Sequence, residues 1–275
     1  MSIIKFLDEF TSDNLKERGS SRRDALNTFS SLGKKAALAA VPFGLGAVSK
    51  KAKATTAFQN DSITDALQLA LTLEYLEAEF YNKALDSGVL PTGKPEQIYM
   101  QISKHEDAHV TLLQNALGAS SIPSPEFDFT AGGLFDPFNE NGTGQETAYA
   151  QLLALAQAFE DTGVRAYKGQ AGNVMSNPDI LTTALQIHSV EARHASEIRR
   201  LRGLEGWITR DERGAGMPEQ TQAVYNGEEN LMQGGVDVST LGSGSPFTID
   251  SSTQSYDEIL TGEEASNIAS LFIVQ

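Results

Sequence analysis

No cysteine occurs among the 275 residues, and there is one tryptophan and only four histidines. The missing thiols exclude disulfides, thiolate metal ligands and cysteine nucleophiles together, so any metal must be held by oxygen and nitrogen. No apolar run reaches the eighteen or so residues that a membrane-spanning helix needs. Basic residues are scarce beyond the start of the chain. Residues 1–54 hold 10 Lys and Arg against 5 Asp and Glu, a net +5, which leaves a net −20 for residues 55–275. A body that acidic repels nucleic acid and anionic membrane surfaces and attracts cations. What the chain does have, 40% hydrophobic residues over this length, suffices to bury the core of one domain with appendages.

The first appendage reads as an export signal. Arg22-Arg23 is followed by the weakly apolar run Ala36 to Val48 and then by Ala52-Lys53-Ala54, which is the order of basic region, apolar region and Ala-x-Ala cleavage site. The paired arginines resemble a twin-arginine signal, which serves proteins that fold, and often load a cofactor, before crossing the membrane. Residues 1–54 are thus expected to be an export signal, with a retained N-terminal helix as the alternative. The expected location is the periplasm or cell envelope.

Four helices follow in residues 55–203. The first is predicted over Ser62 to Ser87, with Leu67, Leu71, Ala78 and Leu85 in a stripe whose gaps are filled by Glu74 and Tyr81. The second runs from near Pro95 to Gly118 with Ile98, Ile102, Glu106, His109 and Leu113 in line. Prolines 123, 125 and 137 and a glycine-rich stretch make residues 119–144 a long crossover, which lets the second and third helices run parallel. The third is predicted over Gln145 to Gln170 with Leu153, Ala156, Glu160, Gly163 and Tyr167 on one face. The fourth opens at Asn177-Pro178 and stops at Gly203, carrying Ile187, Glu191, His194 and Ile198. Residues 204–275 form an irregular tail expected to wrap the bundle, with Trp207 as its anchor. Thr261-Gly262-Glu263-Glu264 is a capping box before a last short helix.

The chemistry lies in a pattern that occurs twice. Glu74-x6-Tyr81 precedes Glu106-x-x-His109, and Glu160-x6-Tyr167 precedes Glu191-x-x-His194, at offsets of 32 and 31 residues. A carboxylate on the buried stripe of a helix costs several kcal/mol unless its charge is neutralised, so four of them facing one core call for cations. Two divalent ions would balance four carboxylates. In Glu-x-x-His the two side chains lie one turn apart on one face, so the glutamate can bridge two ions while the histidine binds one. Oxygen and imidazole ligands suit iron or manganese, with zinc a further candidate. Glu77, three residues beyond Glu74, competes with it as a ligand. Asp107 and Asp161 directly follow proposed ligands, are turned to another face and are expected to be surface charge. His105 and His188 complete the histidines, and His188 is expected to be solvated or hydrogen-bonded.

These four motifs in this order resemble the ligand pattern of the ferritin-like superfamily, the dimetal-carboxylate four-helix bundles that include bacterioferritin, rubrerythrin and manganese catalase. The phrases Leu73-Glu74-Tyr75-Leu76-Glu77-Ala78-Glu79-Phe80-Tyr81 and Tyr256-Asp257-Glu258-Ile259-Leu260 further resemble exported, desiccation-related ferritin-like proteins. The resemblance implies an all-α, ferritin-like four-helix bundle. It makes Glu74 and Glu160 terminal ligands, Glu106 and Glu191 bridging ligands, and His109 and His194 one imidazole per ion. Tyr81 and Tyr167 become hydrogen-bond or redox partners of the glutamates, or else ordinary core tyrosines. The activity implied is an oxidoreductase using dioxygen or hydrogen peroxide, ferroxidase-, peroxidase- or catalase-like, in stress defence. The alternative is a non-catalytic scaffold or stress-protection protein of the envelope. A homo-oligomer fits this class, whereas the long crossover and glycine-rich tail disfavour an iron-storing shell.

Overall fold

The computed structural model describes residues 62–274 apart from Ser243, Ser245 and Pro246. The expected export segment lies outside the described residues. Four long helices form the bundle: α1 (Ile63–Asp86), α2 (Lys94–Leu117), α3 (Gln145–Val174) and α4 (Pro178–Leu201). Their ends follow local chemistry. Ser62 and Asp65 form a capping box at the start of α1, Pro95 sits in the first turn of α2, and the Asn177 side chain accepts from the amides of Asp179 and Ile180 before Pro178 opens α4. Helix α3 runs four residues past its predicted end. Val174 is buried there, and that packing outweighs the cost of about 1 kcal/mol of Gly172 in a helix interior.

Helices α1 and α3 are antiparallel, because Tyr81 reaches Glu160 while Tyr167 reaches Glu74. Helices α2 and α4 are antiparallel as well, with His105 beside His194 and His109 beside Glu191. Helices α2 and α3 therefore run parallel, as the long crossover requires. The crossover is fastened rather than loose. Its Phe127, Phe129, Phe135 and Phe138 are buried in one core with Phe80, Phe159 and Phe272, and Asp136 accepts from the amides of Asn141 and Thr143.

After α4 the tail carries a two-residue hairpin, β1 (Met232–Gln233) with β2 (Val236–Asp237), then α5 (Ile249–Thr253) and α6 (Gly262–Ser270). Helix α6 starts at the expected capping box of Thr261 and Glu264. The tail folds onto α3. Arg165, fully buried, donates to the carbonyls of Val224, Asn226, Glu258 and Ile259 and pairs with Glu228 at 2.6 Å. The Leu260 amide bonds the Arg165 carbonyl at 3.1 Å. Beside it, a Cβ on Gly169 would stand 1.9 Å from the Leu260 carbonyl oxygen, so only glycine admits this approach.

Two expectations need correction. Asp161 is not surface charge: it is buried, bonded twice by Arg199 and once by the Tyr225 hydroxyl. It does face away from the Glu160 stripe, but the tail covers that face. Trp207 does not anchor the tail, being 47% exposed and bonded only to Glu205. Tyr225, fully buried against Asp161 and Gln157, holds that place.

Candidate metal centre

Glu74, Glu106, Glu160 and Glu191 have no exposed surface, and His109 and His194 are nearly as buried. They lie mid-helix, inside the bundle. The structure gathers them into two groups, Glu74, Glu106, His109 and Glu191, and Glu106, Glu160, Glu191 and His194; in each group the potential ligand atoms all lie within 4.8 Å of one another. Glu106 and Glu191 belong to both. His109 Nδ1 is 3.1 Å from Glu74 Oε2, 3.0 Å from Glu106 Oε2 and 3.2 Å from Glu191 Oε1. His194 Nδ1 is 2.8 Å from Glu106 Oε1 and 3.3 Å from Glu160 Oε2.

This cluster is short of hydrogen-bond partners. Glu106 Oε1, Glu160 Oε2, both Glu191 oxygens and His194 Nδ1 are buried without one, although His194 stands close to two of those oxygens. A buried polar atom left so costs about 1–3 kcal/mol, more when charged. Carboxylate oxygens and imidazole nitrogens converging on one point are what a cation needs, so the donor set fits metal ions. In their absence protons must neutralise the cluster. Burial pushes Glu191 well above the usual carboxylate range and Glu74 up to about 8. Burial opposes charge on the imidazoles, yet the glutamates around them outweigh it, lifting His109 to about 12 and His194 to about 11. Burial would raise Glu106 too, but its bond to His109 and the closeness of the His194 imidazole hold it down at about 2.

A family model described as a ferritin-like domain matches residues 62–204, just over half of the chain. The chain belongs to the ferritin-like domain family. A comparison with curated proteins finds none that matches. The matched span of this ferritin-like domain covers all four long helices and every residue of both groups.

Around the centre, the tyrosines bond the glutamates crosswise. Tyr81 donates to Glu160 Oε1 and Tyr167 to Glu74 Oε1, not each to the glutamate seven residues before it. Seven residues span about 10.5 Å of helix, too far for a hydroxyl to return, whereas the antiparallel neighbour brings the other glutamate alongside. Glu77, passed over for Glu74, is also fully buried, and it lies outside both ligand groups. It takes its place because α3 offers Gly163 there. A Cβ on Gly163 would stand 3.1 Å from Glu191 Oε2 and 3.3 Å from Glu77 Oε1. His188 bonds the Val164 carbonyl at 2.9 Å, and Asp107 is exposed, as expected. Sequence reasoning missed His105, whose Nδ1 is 2.8 Å from His194 Nε2. The signal was the spacing of four from Gln101 to His105 to His109, which sets them on one helix face.

The two ends of the centre differ in access. At the Glu160 end, Tyr81 packs on Phe80 and Tyr99 with ring centroids 5.6 and 5.0 Å away. At the Glu74 end, a groove of about 240 Å³ opens between α2 and α4. Leu67, Leu113, Ile187 and Tyr167 are its buried lining residues.

Proposed function

We propose that this ferritin-like domain holds two divalent ions, iron or manganese, and works as an oxidoreductase on dioxygen or hydrogen peroxide; zinc, which has no redox chemistry, would fill the same ligands without that activity. The observation that carries the reading is the pair of four-residue groups sharing Glu106 and Glu191. That sharing supports Glu106 and Glu191 as bridging ligands, Glu74 and Glu160 as terminal ones, and His109 and His194 as one imidazole each. Bound there, iron or manganese would supply the electrons that reduce the oxidant.

The chain's own residues prepare the site for such a reaction. Each tyrosine hydroxyl steadies one oxygen of a terminal carboxylate and leaves the other turned to the imidazole of its group. Buried Glu77 adds a further carboxyl group beside the centre, whose proton affinity is raised in metal-free protein by burial and then by the charges of Glu191 and Glu160. The apolar groove over Tyr167 favours a small neutral reactant over an anion, and the net negative charge of the body acts the same way. Without cysteine the chain has no rubredoxin-type site, so reducing electrons come from a separate donor, or the ions cycle on peroxide alone. The resemblance to exported, desiccation-related proteins and the twin-arginine-like Arg22-Arg23 support a role in stress defence in the periplasm or envelope.

The test is metal analysis of untagged protein from native expression. At least about one equivalent of iron or manganese per chain is expected, since buried carboxylates and imidazoles bind divalent ions at neutral pH. A smaller content, with nothing bound on reconstitution, would leave the bundle as a scaffold and end the oxidoreductase reading.

A further inference from the structure

The pattern of ligands is twofold, but one hydrogen-bonded chain breaks the symmetry. His105 Nδ1 lies 2.8 Å from His194 Nε2, with the two ring planes within 12° of each other and their centroids 5.1 Å apart, an edge-to-edge approach. His105 Nε2 in turn lies 2.7 Å from the side-chain amide of Gln101, which is exposed. A file of three side chains thus joins the surface to the inner imidazole. The equivalent of His105 in the other half, directly before Glu191, is Val190, which has no hydrogen-bonding side chain. The outer nitrogen of His109 has no partner among the described residues.

The atoms fix the direction of this chain. His194 turns Nδ1 toward Glu106 and Glu160, so Nε2 keeps its hydrogen whether a proton or a metal ion sits on Nδ1. That hydrogen is donated to His105 Nδ1, which leaves the hydrogen of neutral His105 on Nε2. A half-turn of the Gln101 amide, whose oxygen and nitrogen are equivalent in shape, presents the oxygen to accept it. Every member of the file is then satisfied without any charge on His105.

We infer that the two metal positions are unequal: His105 is a positioning residue that holds the His194 imidazole, so the position formed by Glu106, Glu160, Glu191 and His194 binds its ion more tightly and fills first. The inference rests on the two-ion reading. A hydrogen bond on the outer nitrogen fixes the ring before the ion arrives and makes the inner nitrogen a stronger donor, effects that together change metal affinity about 10–100-fold. His109 lacks that support and lies at the end of the centre where the groove opens.

Metal-free full-length protein titrated with Co²⁺, followed by visible absorption and calorimetry, tests this. The wild type is expected to fill in two steps with affinities about tenfold apart or more. His105→Leu should weaken the tighter step about 10–100-fold and leave the weaker one in place. His105→Asn, whose amide oxygen can stand where Nδ1 stood, should restore it. The effect of His105→Leu should vanish in a His194→Ala background and persist in a His109→Ala background, a coupling that a general loss of stability does not produce. Two equal steps in the wild type, or equal weakening of both by His105→Leu, would overturn the inference while leaving the two-ion centre standing. No cobalt binding at all would overturn the reading beneath it.

Discussion

Glu106 has two oxygens and two different tasks. It turns Oε2 to His109 and Oε1 to His194, whereas Glu74 meets, of the two histidines, only His109. The consequences of losing them should differ. Glu106→Ala is expected to bind no ion tightly at either position, and Glu74→Ala to retain about one ion per chain, while both keep their helix content, because the ligands add nothing to the backbone bonds of α1 and α2. Metal analysis with circular dichroism reads both. Two retained ions in Glu106→Ala would refute the bridging role. At this scale the sequence was informative wherever a residue interrupts an apolar stripe, as Glu74, Glu106, Glu160 and Glu191 do. It was silent on partners set by tertiary register, which is why the crossing of Tyr81 to Glu160 and Tyr167 to Glu74 could not be read from a spacing of seven.

The elements were legible to within a turn, because caps and prolines mark their ends and the stripes mark their inner faces. What covers their outer faces was not. A residue directly after a ligand is turned about 100° away from it, which describes Asp161 correctly but says nothing of a tail arriving from residues 213–261 to bury it. The tail's closest approach is at Gly169, under the Leu260 carbonyl. Gly169→Ala removes an interior helical glycine, worth up to about 1 kcal/mol in favour of the helix. The methyl group has no room, however, and overpacking of this kind costs about 1–3 kcal/mol. Net destabilisation is expected, with earlier proteolytic cleavage in the tail than in the bundle. A variant as protease-resistant as the wild type would show that the tail does not depend on this contact.

For the whole molecule, the burial of so many acids makes stability depend on pH. In metal-free protein burial raises Glu77 and Glu191 well above the ordinary 4.5 and Glu74 to about 8, and surrounding carboxylates lift His109 and His194 from 6.5 to about 12 and about 11. All five groups hold protons more tightly folded than unfolded. Their contribution is complete below the unfolded values and is lost as pH rises toward the folded ones. Glu106, held down at about 2, contributes in the opposite sense, but only as pH falls below 4.5. The Tm of metal-free protein is therefore expected to fall from about pH 5 to about pH 8.5, while that of loaded protein stays nearly level, because the ions displace the protons. A metal-free Tm that climbs over this interval would contradict the burial pattern. No helix among the described residues is long and apolar enough to cross a membrane, as the composition indicated.

The short loop after α1 and the short loop after α3 make the bundle two hairpins, and neither owns a complete set of ligands. The α1–α2 hairpin supplies Glu74, Glu106 and His109 and borrows Glu191; the α3–α4 hairpin supplies Glu160, Glu191 and His194 and borrows Glu106. In mechanical terms the centre is a joint, closed only where each hairpin lends one carboxylate to the other. For ions bound as proposed, how firmly an ion is gripped and how firmly the hairpins are clasped are one quantity seen from two sides, and a chelator strong enough to strip them would pull on the seam of the whole bundle.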